Sequence, residues 1–211
     1  MVQKATTDMT SANKKKYYFG NVREWSEKEM NVFWKDFKGR KKILDVGCGA
    51  GIFGRYKPRG VEVYGCDFDK GSIKHAQKWE KAVLHDIRKE LPYKDNTFDG
   101  ALVKDVFEHV LEPWNLLLET KRVLKKGGIL LATVPAPTKK AWDDYTHVRP
   151  FTKRSIRELF LDHGMKIIYI KPIRGIFGFG RLGLNELGTA ILRVPGLSLL
   201  TQGYKIKATK P

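Results

Sequence analysis

Residues 42–54 read Lys42-Ile-Leu-Asp-Val-Gly-Cys-Gly-Ala-Gly-Ile-Phe-Gly54. The apolar run Ile43, Leu44 and Val46 is typical of a strand that is buried on both faces. The glycines that follow let the backbone turn tightly and come close to a ligand, before apolar residues open a helix. Because a glycine turn between a buried strand and a helix is a common cofactor cradle, this stretch predicts an α/β fold built around a bound cofactor.

The charge beside the glycines indicates which cofactor binds. The pattern Gly49-x-Gly51-x-x-Gly54 satisfies a dinucleotide fingerprint, but Asp45 stands two residues before the first glycine. Its carboxylate would repel a pyrophosphate and would attract a cofactor that carries an ammonium group and a sulfonium. We therefore favour such a cofactor over NAD. A glycine turn that holds no ligand is the remaining alternative.

The run Ile43–Gly51 closely resembles the first motif of class I S-adenosylmethionine (SAM)-dependent methyltransferases. The resemblance implies a Rossmann-like, doubly wound α/β fold, in which a seven-stranded sheet carries helices on both faces and its last strand is antiparallel. It also implies SAM as the cofactor. The residues assigned to the cradle are Asp45, Gly47, Cys48, Gly49 and Gly51.

A second predicted strand ends in the acidic run Asp67-Phe-Asp69. An acidic residue at the end of the second strand of a doubly wound sheet lies where a ribose binds, and its carboxylate can accept two hydroxyl hydrogen bonds. Asp67 is assigned this role. The resemblance places Phe68 beside the adenine. A helix N-cap is the alternative for these carboxylates, and it suits Asp69 better than Asp67.

A third short strand precedes Asp86 and Ile87. In the family the acidic residue reaches the amino group of the adenine and the next residue packs on the ring, so both are assigned to the cofactor. A loop-capping role for Asp86 is the alternative. The segment Leu91-Pro-Tyr-Lys-Asp-Asn-Thr-Phe-Asp99 resembles the family's connection into the fourth strand. The resemblance thus extends over about residues 42–171.

The segment Lys104-Asp-Val-Phe-Glu-His109 ends the fourth strand, at the edge where open α/β sheets place their chemistry. Lys104 is assigned to the cofactor. His109 is a candidate general base, and a histidine that only positions a loop is the alternative. In ubiquinone-pathway O-methyltransferases, which this segment resembles, two acids and a histidine are associated with a divalent metal. We assign no metal, and the residues that would hold one are Asp105, Glu108 and His109.

The loop between Pro135 and Pro150 is long, and long loops at this edge of a sheet usually carry substrate contacts. Its end, His147-Val-Arg-Pro-Phe-Thr152, resembles a His-x-Arg-x-Phe-Thr segment of small-molecule members of the family. His147 is therefore a second candidate base or a substrate ligand. Pairing of His147 with Asp143 or Asp144 would explain the presence of this histidine equally well.

Both ends of the chain carry features outside the predicted core. Residues 1–13 are polar and predict a flexible arm, and of the following pair Tyr17 and Tyr18, Tyr18 is assigned to the cofactor. An apolar stripe predicts a helix from Ser26 to Phe37. Residues 172–203 are apolar with interspersed arginines, which fits a lid over a greasy substrate or contact with an anionic membrane. A helical pair packed on the core or at a dimer interface is the alternative.

The length of 211 residues and the composition, 42% hydrophobic and 30% charged, predict a single domain. Its expected parts are an arm and N-terminal helix at 1–37, a cofactor-binding core at 38–171, and an apolar insertion with the last strand at 172–211. The two cysteines fit small buried residues of a reducing compartment. Without a signal peptide or an apolar run of membrane-spanning length, we expect a cytoplasmic protein, with peripheral membrane contact left open.

The function predicted from these features is transfer of a methyl group from SAM to a small or lipid-like acceptor by in-line displacement. The net charge of +17 keeps methylation of RNA or protein as an alternative, although the basic residues are scattered along the chain. A SAM-binding module without catalysis is a third possibility. The acceptor, the methylated atom and the oligomeric state are left open.

Overall fold

The computed structural model describes residues 25–173 and 201–211. It therefore covers the predicted core at 38–171 in full. The predicted arm at 1–13, the pair Tyr17 and Tyr18, and residues 174–200 of the apolar insertion lie outside the described residues.

In the part of the chain that the structure describes, seven strands form one sheet. They are β1 Lys42–Val46, β2 Glu62–Asp67, β3 Lys81–Leu84, β4 Phe98–Lys104, β5 Leu124–Pro135, β6 Lys166–Ile173 and β7 Gly203–Thr209. Their order is β3-β2-β1-β4-β5-β7-β6, so the winding direction reverses between β1 and β4. Strands β1 to β5 pair in parallel, whereas β7 runs antiparallel to both β5 and β6. The predicted doubly wound sheet with an antiparallel last strand is confirmed.

Two of the helices begin at the caps that the sequence indicates, Ser26 and Asp69. The helices of the described residues are α1 Glu27–Trp34, α2 Ile52–Arg55, α3 Lys70–Ala76, α4 Pro113–Val123, α5 Lys139–Trp142 and α6 Lys153–Asp162, with 3₁₀ turns at Lys35–Phe37 and Phe107–His109. Ser26 caps α1 through a capping box with Glu29, and the Asp69 carboxylate caps α3 by accepting the N–H of Ser72 at 2.7 Å. Within residues 25–173 and 201–211, no helix has the length and apolar character needed to cross a bilayer.

Helices cover both faces of the sheet, and the residues of β1 alternate between the two faces. Ile43 lies in an apolar cluster with α1 and with Phe53 of α2, whose ring stacks on Trp34 at 3.9 Å between centroids. Leu44 lies in a larger cluster with residues of α4 and α6. The strand is therefore buried on both faces, as predicted. Because side chains alternate between the two faces along a strand, Asp45 lies on the same face of the sheet as Ile43.

The sequence predicts a fifth strand over residues 129–134 and a helix over residues 71–79, and one boundary of each is wrong. Strand β5 begins at Leu124 and not at Ile129, because Leu124 pairs with Phe98 of β4 across an irregularity in the register. The backbone of Gly127 and Gly128 also bonds to Lys210, which extends the sheet toward the chain's last residues. Helix α3 ends at Ala76 and not at Trp79, because the chain closes there into a turn onto the Ala76 carbonyl.

Asp36 joins the N-terminal segment to the antiparallel side of the sheet. Its carboxylate lies 2.6 Å from Nζ of Lys205 and 3.1 Å from Nζ of Lys207, and it accepts the hydroxyl of Tyr169 at 2.8 Å. Burial alone would raise the pKa of Asp36, but the hydrogen bond and charge of Lys205 outweigh burial and lower it. The contact ties together segments that are far apart in sequence, so it should contribute to global stability.

We predict that Asp36→Ala lowers the free energy of unfolding by about 2 to 3 kcal/mol, because the Lys205 ammonium would remain almost buried without its partner. Urea unfolding followed by circular dichroism measures the change. Because the folded-state pKa of Asp36 is lowered, its contribution is complete above about pH 4 and is lost as the pH falls through the folded-state pKa.

The control for this prediction is Glu158→Ala, which removes an exposed pair with Arg154. Exposed pairs contribute little to stability, so this variant should unfold like the wild type. Equal destabilisation by the two variants would contradict a structural role of Asp36.

Candidate functional site

The carboxyl ends of β1, β2 and β4 lie side by side. In parallel register, Val46 of β1 is opposite Cys66 of β2 and opposite Val103 of β4. The glycine turn, Asp67 and Lys104 each follow directly along their strands, so the sheet brings them to one edge. This edge includes the point where the winding direction reverses, which is where doubly wound sheets bind their ligands.

The glycine turn is held open by its backbone conformation. Gly47, Gly49 and Gly51 all have left-handed φ angles, of 70°, 51° and 76°. The N–H groups of Gly47 and Cys48 donate to the Cys66 carbonyl at 2.8 and 3.1 Å, which fastens the turn to the end of β2. A Cβ placed on Gly49 would meet no atom within 4 Å, so the turn has open space at that residue. These features fit the predicted cofactor cradle.

Asp67 fastens the same turn from the side of β2. Its two oxygens accept the N–H groups of Gly49 and Asp69, both at 2.9 Å, and the residue is 4% exposed. Burial raises the pKa of this carboxyl above its usual range. Each carboxylate oxygen has a second lone pair, so the predicted contact with ribose hydroxyls is compatible with these hydrogen bonds.

The residues assigned to the adenine lie beside Asp67. Phe68 is half exposed, whereas Ile87 is buried. The backbone of His85 donates to the Asp67 carbonyl, which brings the segment after β3 to the same edge. Asp86 pairs with Arg88 through two side-chain contacts of 2.7 and 2.8 Å, and these hydrogen bonds lower the pKa of Asp86. If Asp86 contacts the adenine, its carboxylate binds both the adenine and Arg88.

Asp45 has a neighbour that the sequence analysis missed. Asp45 is 4% exposed, and the carboxyl of Glu80, 6% exposed, lies within hydrogen-bonding reach of it. Burial raises the pKa of Asp45 to about 7, and burial also raises the pKa of Glu80. The sequence places these acids 35 positions apart, and only the folding of β2 and α3 brings them together. The predicted attraction of Asp45 for a cationic cofactor stays a prediction.

Lys104 provides a positive charge at the same edge. Its Nζ lies 2.7 Å from the Asp105 carboxylate and 4.4 Å from the centre of the Trp25 ring. Asp105 has a left-handed φ of 52° and accepts the hydroxyl of Thr133 at 2.8 Å. Trp25 directly precedes the helix cap, so the N-terminal segment approaches the edge where the cofactor is predicted.

A second group of side chains lies beyond Lys104. Glu108, His109 and His147 each offer one oxygen or nitrogen, and these atoms all lie within 4.8 Å of one another. A carboxylate and two imidazoles suit a divalent transition metal. The group does not include Asp105, the third residue considered for a metal, whose carboxylate is engaged with Lys104 and Thr133. The long loop thus brings His147 to His109, a pairing that the sequence analysis did not foresee.

The hydrogen bonds of the two imidazoles indicate where their protons lie. Nδ1 of His109 is 3.2 Å from the carbonyl of Thr146, and Nδ1 of His147 is 2.7 Å from the carbonyl of Ala141. A carbonyl can only accept, so the tautomer that fits both contacts carries its proton on Nδ1 and leaves Nε2 as an acceptor; Nδ1 of His109 is also 3.2 Å from the Thr146 hydroxyl. Nε2 of His147 is 3.7 Å from the Asp144 carboxylate, so the structure places Asp144, and not Asp143, beside this ring, and the two form an ion pair only when the ring is protonated.

The surroundings of two of these groups favour their uncharged forms. Burial and the neighbouring His147 lower the pKa of His109, which favours the neutral imidazole. Burial raises the pKa of Glu108 well above its usual range, which favours its protonated form. Among the described residues, the buried Oε2 of Glu108 has no hydrogen-bond partner. The cluster can therefore accept a proton at His109 and can hydrogen bond a polar group of a ligand through Glu108.

The segments that carry the two histidines also expose large apolar side chains. One set follows His109 on the approach to α4 and along it, and the other lies in the loop around His147. The residues are Leu111, Trp114, Leu118, Trp142, Tyr145 and Val148. We call this set the apolar rim.

Residues 44–132 match the protein family described as "Methyltransferase domain". The chain is 31% identical over 127 residues to a demethylmenaquinone methyltransferase of Paenarthrobacter aurescens, covering 58% of this chain and 49% of that protein. It is 36% identical over 104 residues to a ubiquinone biosynthesis O-methyltransferase of Dinoroseobacter shibae, covering 46% of this chain and 42% of that protein. The chain spans about half the length of the curated relatives it matches.

The fold resembles that of solved structures over nearly its whole length. A SAM dependent methyltransferase from Archaeoglobus fulgidus gives a TM-score of 0.74 at 21% identity, covering 93% of this chain and 97% of that chain. Together these matches confirm the predicted resemblance to class I SAM-dependent methyltransferases, with SAM as the cofactor of the class.

We predict that Gly49→Ala weakens the binding of S-adenosylhomocysteine at least about tenfold, or about 1.4 kcal/mol. The added methyl group would enter the open side of the turn, and the left-handed φ of 51° would strain alanine. Isothermal titration calorimetry measures the loss.

The matched control for Gly49→Ala is Gly60→Ala. Gly60 also has a left-handed φ, of 79°, and open space around its Cβ position, but it lies at the opposite end of β2. The Gly60→Ala variant should show the same strain and an unchanged affinity for S-adenosylhomocysteine. Equal affinity of both variants for the ligand would remove the glycine turn from the cofactor site.

Proposed function

We propose that this chain, whose residues 44–132 match a methyltransferase domain, transfers a methyl group from SAM to a small or lipid-like acceptor. The observation that carries the proposal is the pair of imidazoles of His109 and His147, whose ring centres lie 4.8 Å apart, on two segments that also carry the residues of the apolar rim. A base next to apolar surface suits an acceptor that has a hydroxyl group on a greasy body.

Two relatives support this class of acceptor by name. One is a demethylmenaquinone methyltransferase and the other is a ubiquinone biosynthesis O-methyltransferase, and both names refer to quinones. The identities of 31% and 36% hold over 127 and 104 residues, so only part of each relative is matched. We therefore take from them the chemical class of the acceptor, an aromatic ring with an apolar body, and not a particular compound.

Each part of the site has a role in this proposal. When bound, SAM would supply a methyl group that is already activated by its sulfonium. The glycine turn and Asp67 would bind the cofactor's methionine and ribose portions, and Lys104 would offer an ammonium group to the cofactor's carboxylate. Phe68 and Ile87 would contact the adenine. The chain's task is then to orient the acceptor in line with the methyl group and to exclude water.

His109 is the proposed base. Its Nδ1–H is held by the Thr146 carbonyl, so its Nε2 can take the proton from an acceptor hydroxyl. The lowered pKa leaves this nitrogen unprotonated at pH 7, before any substrate binds. His147 lies with its ring centre 4.8 Å away and presents a second acceptor, which we assign to holding the acceptor in place. In its protonated form, Glu108 can donate a hydrogen bond to an oxygen of the acceptor.

The apolar rim offers a route for a lipid-like acceptor. Trp114 and Leu118 lie four positions apart on α4, so they share one exposed face of that helix. Trp142 ends α5, which begins with the basic pair Lys139 and Lys140. Exposed indoles beside lysines suit shallow contact with an anionic membrane surface, which would bring an acceptor dissolved in the membrane to the histidines.

The net charge of +17 favours a second candidate function, the methylation of RNA. Binding driven by this charge would weaken steeply with salt. Retention of RNA at moderate salt, together with methyl transfer to RNA, would support this candidate and would contradict a small acceptor.

We predict that His109→Gln lowers kcat about 10²- to 10⁴-fold on a phenolic acceptor with an alkyl tail and leaves the affinity for SAM within about twofold. The assay measures transfer of a labelled methyl group from SAM, and calorimetry measures the affinity. Because the pKa of His109 is lowered, the wild-type rate should be constant near neutral pH. It should fall only in more acidic solution, as the imidazole takes up a proton.

The matched control for His109→Gln is His163→Gln. Its Nδ1 also bonds a backbone carbonyl, that of Leu159 at 2.8 Å, but it lies at the end of α6 away from the cluster. It should keep full activity. Unchanged kcat in His109→Gln would contradict the role as base, and loss of wild-type activity in EDTA would assign the cluster to a metal instead.

A further inference from the structure

A pair of buried acids lies beneath the glycine turn. Glu80 stands between α3 and β3, and its Oε1 accepts the N–H of Gly54 at 2.7 Å. Its Oε2 is buried and receives no N–H or O–H donor from the described residues. The neighbouring group is the carboxyl of Asp45. Two carboxylates are both acceptors, so this contact is a hydrogen bond only if a proton lies between them.

Two glycines create the space for Glu80. A Cβ on Gly54 would overlap Cγ of Glu80, and a Cβ on Gly65 would overlap its Oε2. Gly65 is opposite Asp45 in the pairing of β2 with β1, so the slot opens directly onto Asp45. Gly54 is also the last glycine of the turn region at 47–54. The acid side chain thus fills the gap between the turn and the sheet and hydrogen bonds to the turn's far end.

Among the described residues, no basic side chain forms an ion pair with either acid. Titratable groups from five segments face the pair: Asp67 and Cys66 of β2, Cys48 of the glycine turn, Lys104 of β4, Lys57 after α2 and Tyr93 before β4. Lys104 pairs with Asp105, and Nζ of Lys57 bonds the Trp79 carbonyl. Within residues 25–173 and 201–211, neither Asp45 nor Glu80 forms an ion pair. Burial raises the pKa of both cysteines, so their thiols stay neutral.

We propose that Glu80 is a positioning residue for the cofactor site, which keeps a proton, donates it to Asp45, and thereby holds the glycine turn and one negative charge in place beneath the cofactor. The inference rests on the proposed function, because it takes the ligand to be SAM. When both acids are protonated, the pair has no negative charge to attract the positively charged groups of SAM. Binding of SAM is therefore linked to the loss of a proton from the pair.

The linkage has a definite sign. Burial raises the pKa of Asp45 to about 7, so below that pH the pair is neutral and above it the pair carries one negative charge. The affinity for SAM should therefore rise with pH, by at most about tenfold per unit, up to about pH 7. From pH 5.5 to about 7 the ligand's own α-amino group, which titrates near pH 8, stays mostly protonated, so the rise in affinity over that range reports the pair. Titrations in two buffers of different ionisation enthalpy count the proton released.

The test compares Glu80→Gln with Glu80→Ala by calorimetry with SAM. The amide of glutamine can donate to Asp45 and accept from Gly54, as the protonated acid does, whereas alanine can do neither. We expect Glu80→Gln to keep the affinity within about threefold at pH 7.5 and to keep the pH dependence. We expect Glu80→Ala to bind SAM at least about tenfold more weakly. Glu62→Gln, on the exposed start of β2, is the control and should bind like the wild type.

Three outcomes would overturn the inference. An equal loss in Glu80→Gln and Glu80→Ala would mean that Glu80 acts as an anion or only as packing. Wild-type affinity in Glu80→Ala would remove Glu80 from the site. An affinity that does not change from pH 5.5 to 7.5 would refute the linkage to a proton. Failure of the wild-type chain itself to bind SAM would instead refute the proposed function.

Discussion

Parallel pairing of β1 with β2 on one side and β4 on the other is the constraint on which the rest of this structure depends. It places three strand ends at one edge, and the residues that follow them have to meet there. The Asp67 carboxylate then connects two of these ends through its bond to the Gly49 N–H. The shape of the cradle therefore comes from backbone pairing and one buried carboxylate, and less from contacts between side chains.

The electrostatics of the site contrast with those of the whole chain. The chain carries a net charge of +17, yet the residues buried at the ligand edge include the acids Asp45, Asp67, Glu80 and Glu108. Burial raises the pKa of each of these carboxyls. The interior thus concentrates acidic groups close to where a cationic cofactor is proposed to bind. The basic surface and the acidic interior can serve different ligands, because salt screens the surface charges and screens buried charges much less.

Much of this arrangement could be predicted from the sequence, because local signals determine it. The apolar run before the glycines predicted a strand buried on both faces, and the cap at Ser26 and the acid at Asp67 follow from their positions in such elements. Contacts over long sequence distances could not be predicted. Glu80 follows an unremarkable helix, and its meeting with Asp45 depends on two glycines in other segments. The start of β5 was missed for the same reason, since the pairing partner is distant in the chain.

The slot that holds Glu80 also constrains how this chain can change over evolution. Gly54 and Gly65 have no room for a side chain as long as the acid lies between them, and the acid has no room without both glycines. Substitution at only one of the three positions produces either an overlap or a cavity. A different packing therefore requires changes at more than one of them. In related sequences the three positions should therefore vary together. A relative that lacks the acid is free to carry larger residues at both glycine positions, and it would have to hold its turn in another way.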